Sequence, residues 1–147
     1  MKAKINFKKL DERAIVPTYG SEFSAGADLY AVLDNDLTIE SGKTVLIHTY
    51  LSMEIPEGYG GFIFARSGLA TKKGLAPANK VGVIDADYRG EIMVALHNHS
   101  SENQVISNGE RIAQLVLLPF LSCEFIECEE LSETVRGQGG FGSTGSK

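Results

Sequence analysis

The chain has no tryptophan, only two cysteines, only four prolines, and no long run of apolar residues. No stretch approaches the ~18 consecutive apolar residues of a membrane span, so no membrane partner is expected. The N-terminal Met1-Lys2-Ala3-Lys4-Ile5 is basic but has no apolar stretch behind it. It does not read as a secretory leader, and a cytoplasmic location is the expectation. Cys123 and Cys128, five residues apart, would lie on opposite faces of a strand, which disfavours a bridge between them and favours free thiols in a reducing compartment. Positive charge is also in deficit. Fourteen basic against nineteen acidic residues leave a net charge of −5. A general nucleic-acid binder needs the opposite sign, because phosphate neutralisation supplies most non-specific affinity. An anionic ligand would need local cationic groups or a metal ion.

What remains is a chain of 147 residues, one domain's length, with 43% apolar and 22% charged residues and sixteen glycines. Alternation dominates. From Thr44 to Ile55, Val45, Ile47, Thr49, Leu51, Met53 and Ile55 share one face, while Thr44, His48, Tyr50, Ser52 and Glu54 share the other. That period of two predicts a long strand ending at Pro56. Further strands are predicted at Tyr59–Ala65, Val81–Ile84, Glu91–His97 and Arg111–Leu118. Shorter ones are predicted at Lys4–Phe7, Asp28–Ala31, Leu37–Ile39 and Cys123–Cys128. Only Ser67 to Lys73 reads as helix, with Ser67 as a possible N-cap and Gly74 as its stop. Many strands punctuated by Gly, Pro, Asn and Asp predict an all-β sandwich, jelly roll or barrel.

The C-terminus differs in composition. Residues 136–147 read Arg-Gly-Gln-Gly-Gly-Phe-Gly-Ser-Thr-Gly-Ser-Lys. Such a segment buries too little apolar area to offset its ordering entropy, and it is expected to be mobile unless something binds it. The boundary divides the chain into a core, residues 1–135, and a tail, residues 136–147. The tail matches G-x-G-x-x-G over Gly137–Gly142, but no helix follows, so a dinucleotide fold is not indicated. Its consecutive amides can still form an anion-binding nest, with Arg136 adding charge and Phe141 a flat stacking surface.

Four more segments carry chemistry. In Asn79-Lys80-Val81-Gly82-Val83-Ile84-Asp85-Ala86-Asp87-Tyr88-Arg89-Gly90-Glu91 a strand enters and leaves an Asp/Gly-rich turn. Asp85, at the end of an apolar run, reads either as an ordinary turn former or as a partly desolvated carboxylate able to act as a general base toward water. In Ala65-Arg66-Ser67-Gly68-Leu69-Ala70 a strand ends in arginine and a short helix opens, so the free N–H groups, Arg66 and the Ser67 hydroxyl could attract an anion. Asp28 in Ala25-Gly26-Ala27-Asp28-Leu29 could blunt a sheet edge. Gln114, inside the apolar run that follows Gly109-Glu110-Arg111, needs a polar partner. His97 and His99 share a strand face, but no further ligands accompany them, so packed or exposed histidines are favoured over zinc. The Asn98-His99-Ser100 sequon is idle without secretion.

In order and wording these five segments resemble the trimeric deoxyuridine triphosphate nucleotidohydrolases, the dUTPases, from residue 25 to residue 145. The resemblance implies a jelly-roll-like β-barrel with one short helix, assembled as a homotrimer with sites shared between subunits. It implies hydrolysis of dUTP to dUMP and pyrophosphate, which keeps uracil out of DNA and supplies dUMP for thymidylate synthesis. Mg²⁺ would be the cofactor, held mainly by substrate phosphates and by Asp28 through water. Asp85 would activate the water, with Asp28 and Gln114 completing the catalytic set. Asn79 and the backbone of Gly82, Val83, Ile84 and Asp85 would read uracil, with Met93 nearby. Tyr88 would stack under the deoxyribose and exclude a 2′-hydroxyl. Arg66, Ser67 and Gly68 would hold the phosphates. The tail would close over the ligand, with Phe141 on the base and Arg136, Gly142, Ser143 and Thr144 around the distal phosphates. The sequence carries Ala65 where the family often has proline, Ala27 where an aromatic is frequent, and Ala86 where serine is frequent. Two alternatives share the fold: a deoxycytidine triphosphate deaminase, which attacks the base, and a nucleotide-responsive regulatory module without turnover.

Overall fold

A computed structural model describes residues 3–140. Alternating burial builds it. In β9 (Ile92–Asn98) Ile92, Val94 and Leu96 point inward and the residues between them are half-buried. In β5 (Thr44–Glu54) Ile47, Thr49, Leu51 and Met53 point inward, as the sequence periodicity predicts. These two strands pair antiparallel, with β1 (Asn6–Lys9) on the free side of β5 and β7 (Leu75–Pro77) beyond β9.

The facing sheet has the order β2 (Thr18–Tyr19), β3 (Ala27–Tyr30), β11 (Arg111–Pro119), β6 (Tyr59–Phe64) and β8 (Gly82–Ile84). A two-stranded ribbon of β4 (Leu37–Ile39) and β10 (Gln104–Ile106) completes the set. Every pairing is antiparallel. Side chains from both large sheets and the ribbon meet in one core that includes Leu29, Ile39, Ile47, Leu51, Ile92, Leu96 and Ile112. The result is a jelly-roll-like all-β fold whose strands form three ladders, with no single closed barrel among the described residues.

The one helix among the described residues, α1 (Ser67–Lys73), has the predicted bounds. Its stop is as expected: Gly74 has φ +66° and its N–H donates to the Ala70 carbonyl. Its start is not. Arg66 is the extended N-cap residue and no side chain caps the helix, because Ser67 already lies inside the first turn. The strand expected at Cys123–Cys128 does not form. Residues 121–135 are exposed and outside any strand, and both cysteines are free. The segment has the alternation of a strand but no neighbour among the described residues to complete its hydrogen bonds. The short strands β2, β7 and β10 were not anticipated, since two or three residues are too few to show a period.

Asn98 occupies an inward position of β9 and is fully buried. Its amide donates to the carbonyls of Ile39 and Glu102 (2.9 and 2.7 Å), and its oxygen accepts from the Ser100 N–H and hydroxyl (2.9 and 2.7 Å). All its polar capacity is spent joining β9 to β4 and to the following loop, which closes the sequon to modification in the folded state. Replacing Asn98 with Ala leaves these partners unpaired in the interior. The expected loss is about 2–4 kcal/mol of unfolding free energy, read from the shift in urea midpoint at unchanged slope.

Candidate active site

Part of the chemistry-bearing set gathers in two clefts, while Asp85, Tyr88 and Arg136 lie outside both. The smaller, about 90 Å³, lies between β8 and β9 and is lined by Asn79, Gly82, Val83, Ile84 and Met93, with Ile63 and Pro77 among its apolar walls. A tight turn builds its mouth. Lys80 takes φ +65°, its N–H donates to the Pro77 carbonyl (3.0 Å), and the Val81 N–H donates to Asn79 O (2.7 Å). Gly82 pairs with Ile63 of β6. A β-carbon there would lie 3.2 Å from the Ile63 Cβ and 3.3 Å from the Asn79 amide nitrogen, so glycine lets the carboxamide approach the backbone. Apolar walls with one amide and a strand of backbone groups suit a flat ring with a polar edge. Beyond the cleft, His99 has its pKa lowered by desolvation, with His97 and Lys80 adding positive charge nearby.

The larger cleft, about 580 Å³, is lined by Asp28, Arg66, Ser67, Gly68, Arg111 and Gln114, together with Gly26 and Ser24. Asp28 is buried in the middle of its sheet, opposite Thr18 on one side and Gln114 on the other, and does not blunt an edge. One carboxylate oxygen accepts from Arg66 Nε at 2.7 Å and the other from Arg111 Nη1 at 3.2 Å. Two guanidiniums on one carboxylate leave the cleft with an excess positive charge, which supplies the local field an acidic chain needs for an anion. Gln114 has its polar partner: its amide donates to the Ala65 carbonyl at 2.9 Å. A β-carbon on Gly26 would overlap the Gln114 amide, so the glycine before Ala27-Asp28 makes room for it.

Arg111 is the residue that sequence reasoning passed over. Period two puts positions 111 and 114 on opposite faces of a strand. A bulge between Arg111 and Ala113 shifts the β3–β11 register and brings both side chains to one cleft. Bulges follow from backbone pairing, and the only sequence signal was an unpaired charge at the head of an apolar strand.

Asp85 and Tyr88 lie on the loop between β8 and β9, outside the lining of either cleft. Asp85 is exposed, in contrast to the partial desolvation read from its apolar flank. The reason is that β8 is an edge strand and Val83 beside it is 59% exposed, so the described residues put no wall over the carboxylate. The Tyr88 N–H donates to Asp85 O (3.2 Å) and its hydroxyl to Glu91 O (2.9 Å), which folds the ring back along the loop. Arg136 lies in the exposed terminal segment, where its Nε donates to Gly139 O (2.8 Å). Phe141, Gly142, Ser143 and Thr144 lie outside the described residues.

The family model for dUTPase matches residues 12–145. The deoxyuridine 5′-triphosphate nucleotidohydrolase of Desulfitobacterium hafniense is 54% identical over 146 residues, covering 99% of this chain and 97% of that protein. The corresponding protein of Nautilia profundicola is 50% identical over 142 residues, covering 97% and 99%. Among solved structures, the Staphylococcus bacteriophage 80alpha dUTPase with dUpNHpp superposes with a TM-score of 0.84 at 28% identity, covering 98% and 99% of the two chains. A mutant dUTPase from phage phi11 of S. aureus, described with a structural Mg(II) ion, gives a TM-score of 0.76 at 25% identity, covering 87% and 98%.

The larger cleft makes a prediction of its own. Asp28→Ala removes the counter-ion shared by Arg66 and Arg111, and the expected cost is about 1–3 kcal/mol of stability. Inorganic pyrophosphate should restore part of it by neutralising the same guanidiniums. Urea denaturation of both proteins with and without pyrophosphate measures this. Equal stabilisation of the variant and the intact chain would contradict it.

Proposed function

The chain belongs to the dUTPase family and hydrolyses dUTP to dUMP and pyrophosphate, and we propose that Asp85 is the general base of that reaction. One observation supports the site assignment above the others: the described residues offer two unlike clefts, one walled by aliphatic side chains with an amide and backbone polar groups, and one with a net positive charge from two arginines on a single carboxylate. These are the two environments a nucleotide triphosphate demands.

In this reading uracil enters the smaller cleft. The Asn79 carboxamide and the backbone from Gly82 to Asp85 pair with its edge, and Met93 flanks it. That fixed donor and acceptor pattern leaves the amino group of cytosine facing a donor and crowds the methyl group of thymine. Tyr88 forms the floor under the deoxyribose. The phosphates lie in the larger cleft against Arg66, Ser67 and Gly68, with Gln114 beside them, and Asp28 keeps the arginines in place. Asp85 takes a proton from water as its oxygen bonds to the α-phosphorus. The bond from that phosphorus to the bridging oxygen breaks, and pyrophosphate leaves. Little covalent machinery is required, because phosphoryl substitution depends chiefly on positioning and charge neutralisation.

Mg²⁺ fits this donor set. Among the described residues no three His, Cys, Asp or Glu side chains come together as a metal cage. Asp28, whose two oxygens already accept from arginines, keeps lone pairs for a metal-bound water. Mg²⁺ commonly retains several waters and takes phosphate oxygens, so it needs no denser cage; when bound it neutralises charge on the triphosphate.

The two clefts share no lining residue. Residues 121–135 present Leu121, Phe125, Ile126, Leu131 and Val135 to solvent, four of them more than 80% exposed. An apolar segment of that kind calls for a partner surface. We infer a homotrimer in which this segment packs on another copy and each site is completed across subunits, which would also supply the wall that Asp85 lacks here. The tail from Arg136 onward then closes over the bound nucleotide, with Phe141 on uracil and Arg136, Gly142, Ser143 and Thr144 at the distal phosphates. No helix of the described residues is long and apolar enough to cross a membrane. A cytoplasmic location agrees with the nucleotide substrate.

Pyrophosphate release from dUTP, dTTP, dCTP and UTP tests the assignment, with ammonia release from dCTP reading out the deaminase alternative. The intact protein should select dUTP. Asp85→Asn should lose about two to four orders of magnitude in kcat, the scale of general-base catalysis, while still binding nucleotide. Truncation before Arg136 should cripple turnover and leave the melting temperature of the core in place. Sedimentation equilibrium should give three times the 15.9 kDa of one chain. Full turnover by Asp85→Asn would remove the base from that residue.

A further inference from the structure

β5 carries an irregularity where it passes the active-site loop. His48 is opposite Met93 and Leu51 is opposite Ile92, so Thr49 and Tyr50 are two extra residues on β5 at the point where β9 begins. Tyr50 takes φ +52°, a left-handed conformation rare for an aromatic residue. Its N–H cannot join the ladder there. The Glu91 carboxylate accepts it instead, at 2.8 Å, and both carboxylate oxygens also lie 3.0–3.1 Å from His48 Nδ1. The His48 ring stacks on Tyr50 with centroids 4.9 Å apart. The Glu91 side chain is only 15% exposed, so it acts as an internal brace filling the gap the bulge opens.

The other end of the same residue holds the loop. Glu91 O accepts the Tyr88 hydroxyl at 2.9 Å, and Ser52 of β5 donates to Arg89 O at 2.7 Å. Between them, Gly90 lies under the tyrosine: a β-carbon at that position would collide with the Tyr88 ring and hydroxyl. The ring therefore has a seat, with glycine beneath it and its hydroxyl anchored to a residue whose side chain is locked into the neighbouring strand.

We propose that Gly90 and Glu91 are positioning residues that preset the Tyr88 ring against the nucleotide sugar, and that discrimination between deoxyribo- and ribonucleotides depends on the β5 bulge through them. The proposal rests on the reading of Tyr88 as the floor of the sugar site. Sterically excluding one hydroxyl requires a ring fixed to a fraction of an ångström, and a tyrosine on an exposed loop has no such constraint of its own.

The test compares kcat/KM for UTP and dUTP in the intact protein, Glu91→Ala, Glu91→Gln, Gly90→Ala and Tyr88→Ala, each checked by circular dichroism and thermal melting. Glu91→Ala and Gly90→Ala should each raise the UTP-to-dUTP ratio about tenfold, the scale of a lost steric contact. Glu91→Gln, which keeps an acceptor for the Tyr50 N–H, should restore most of the discrimination. Gly90→Ala leaves the bulge untouched and tests the seat of the ring by itself. Glu91→Asp, which shortens the brace to the Tyr50 N–H, tests the bulge if Glu91→Ala does not fold, with an unchanged ratio in folded Glu91→Asp counting against the bulge. An unchanged ratio in Gly90→Ala, or in folded Glu91→Ala, while Tyr88→Ala changes it, would overturn the proposal and leave Tyr88 at the sugar. An unchanged ratio in Tyr88→Ala would overturn the sugar-floor reading itself.

Discussion

The buried carboxylate of Asp28, gripped by Arg66 on one oxygen and Arg111 on the other, is the contact on which the larger, cationic cleft depends. It reconciles a net charge of −5 with a polyanionic substrate. Two arginines side by side would repel each other and swing into solvent. One carboxylate between them holds both at the wall and still leaves one positive charge uncompensated. The three residues come from β3, the end of β6 and the head of β11, strands brought together only by the sheet order. The cleft is therefore a property of the ladder, and one of its glycines, Gly26, leaves the room that the Gln114 amide fills.

Regular alternation built the scaffold, and departures from it built the chemistry. In β11 a bulge turns Arg111 toward the same cleft as Gln114. In β5 two extra residues produce the left-handed Tyr50 and the unpaired N–H that Glu91 accepts. A perfectly regular strand can present only every second residue to one side, which is too coarse a spacing for a multi-point site. Bulges overcome this at a cost in pairing, recovered here by side chains that satisfy the freed backbone groups.

A single chain accounts for less of the function than of the fold. The smaller cleft between β8 and β9, the cationic cleft and the exposed Asp85 each have a defined local geometry, yet no lining residue links the two clefts. The apolar segment after β11 is likewise without a surface to cover. The proposed homotrimer would resolve both features with one set of contacts, and it would enclose the Asp85 carboxylate that β8, an edge strand, leaves exposed among the described residues.

Much of this was legible before any coordinates. The long alternating strand, the bounds of the helix, the Gly74 stop and the all-β class follow from local stereochemistry, because side-chain period and backbone preference act over a few residues. The five motifs, through their likeness to the dUTPases, pointed to the family and to dUTP as the substrate. Other features were not legible. Cys123–Cys128 has the pattern of a strand and is none, since pairing requires a neighbour that periodicity cannot supply. Asp28 has the look of an edge charge and is a buried counter-ion; Arg111 showed only as a charge at the head of an apolar strand, and nothing in the sequence ties Glu91 to Tyr50. The amino-acid order by itself determined which segments extend, where they turn and which chemical groups the chain carries. Which of those groups touch was decided only by the tertiary structure, because strand register, bulges and sheet order arise from contacts between residues far apart in the chain.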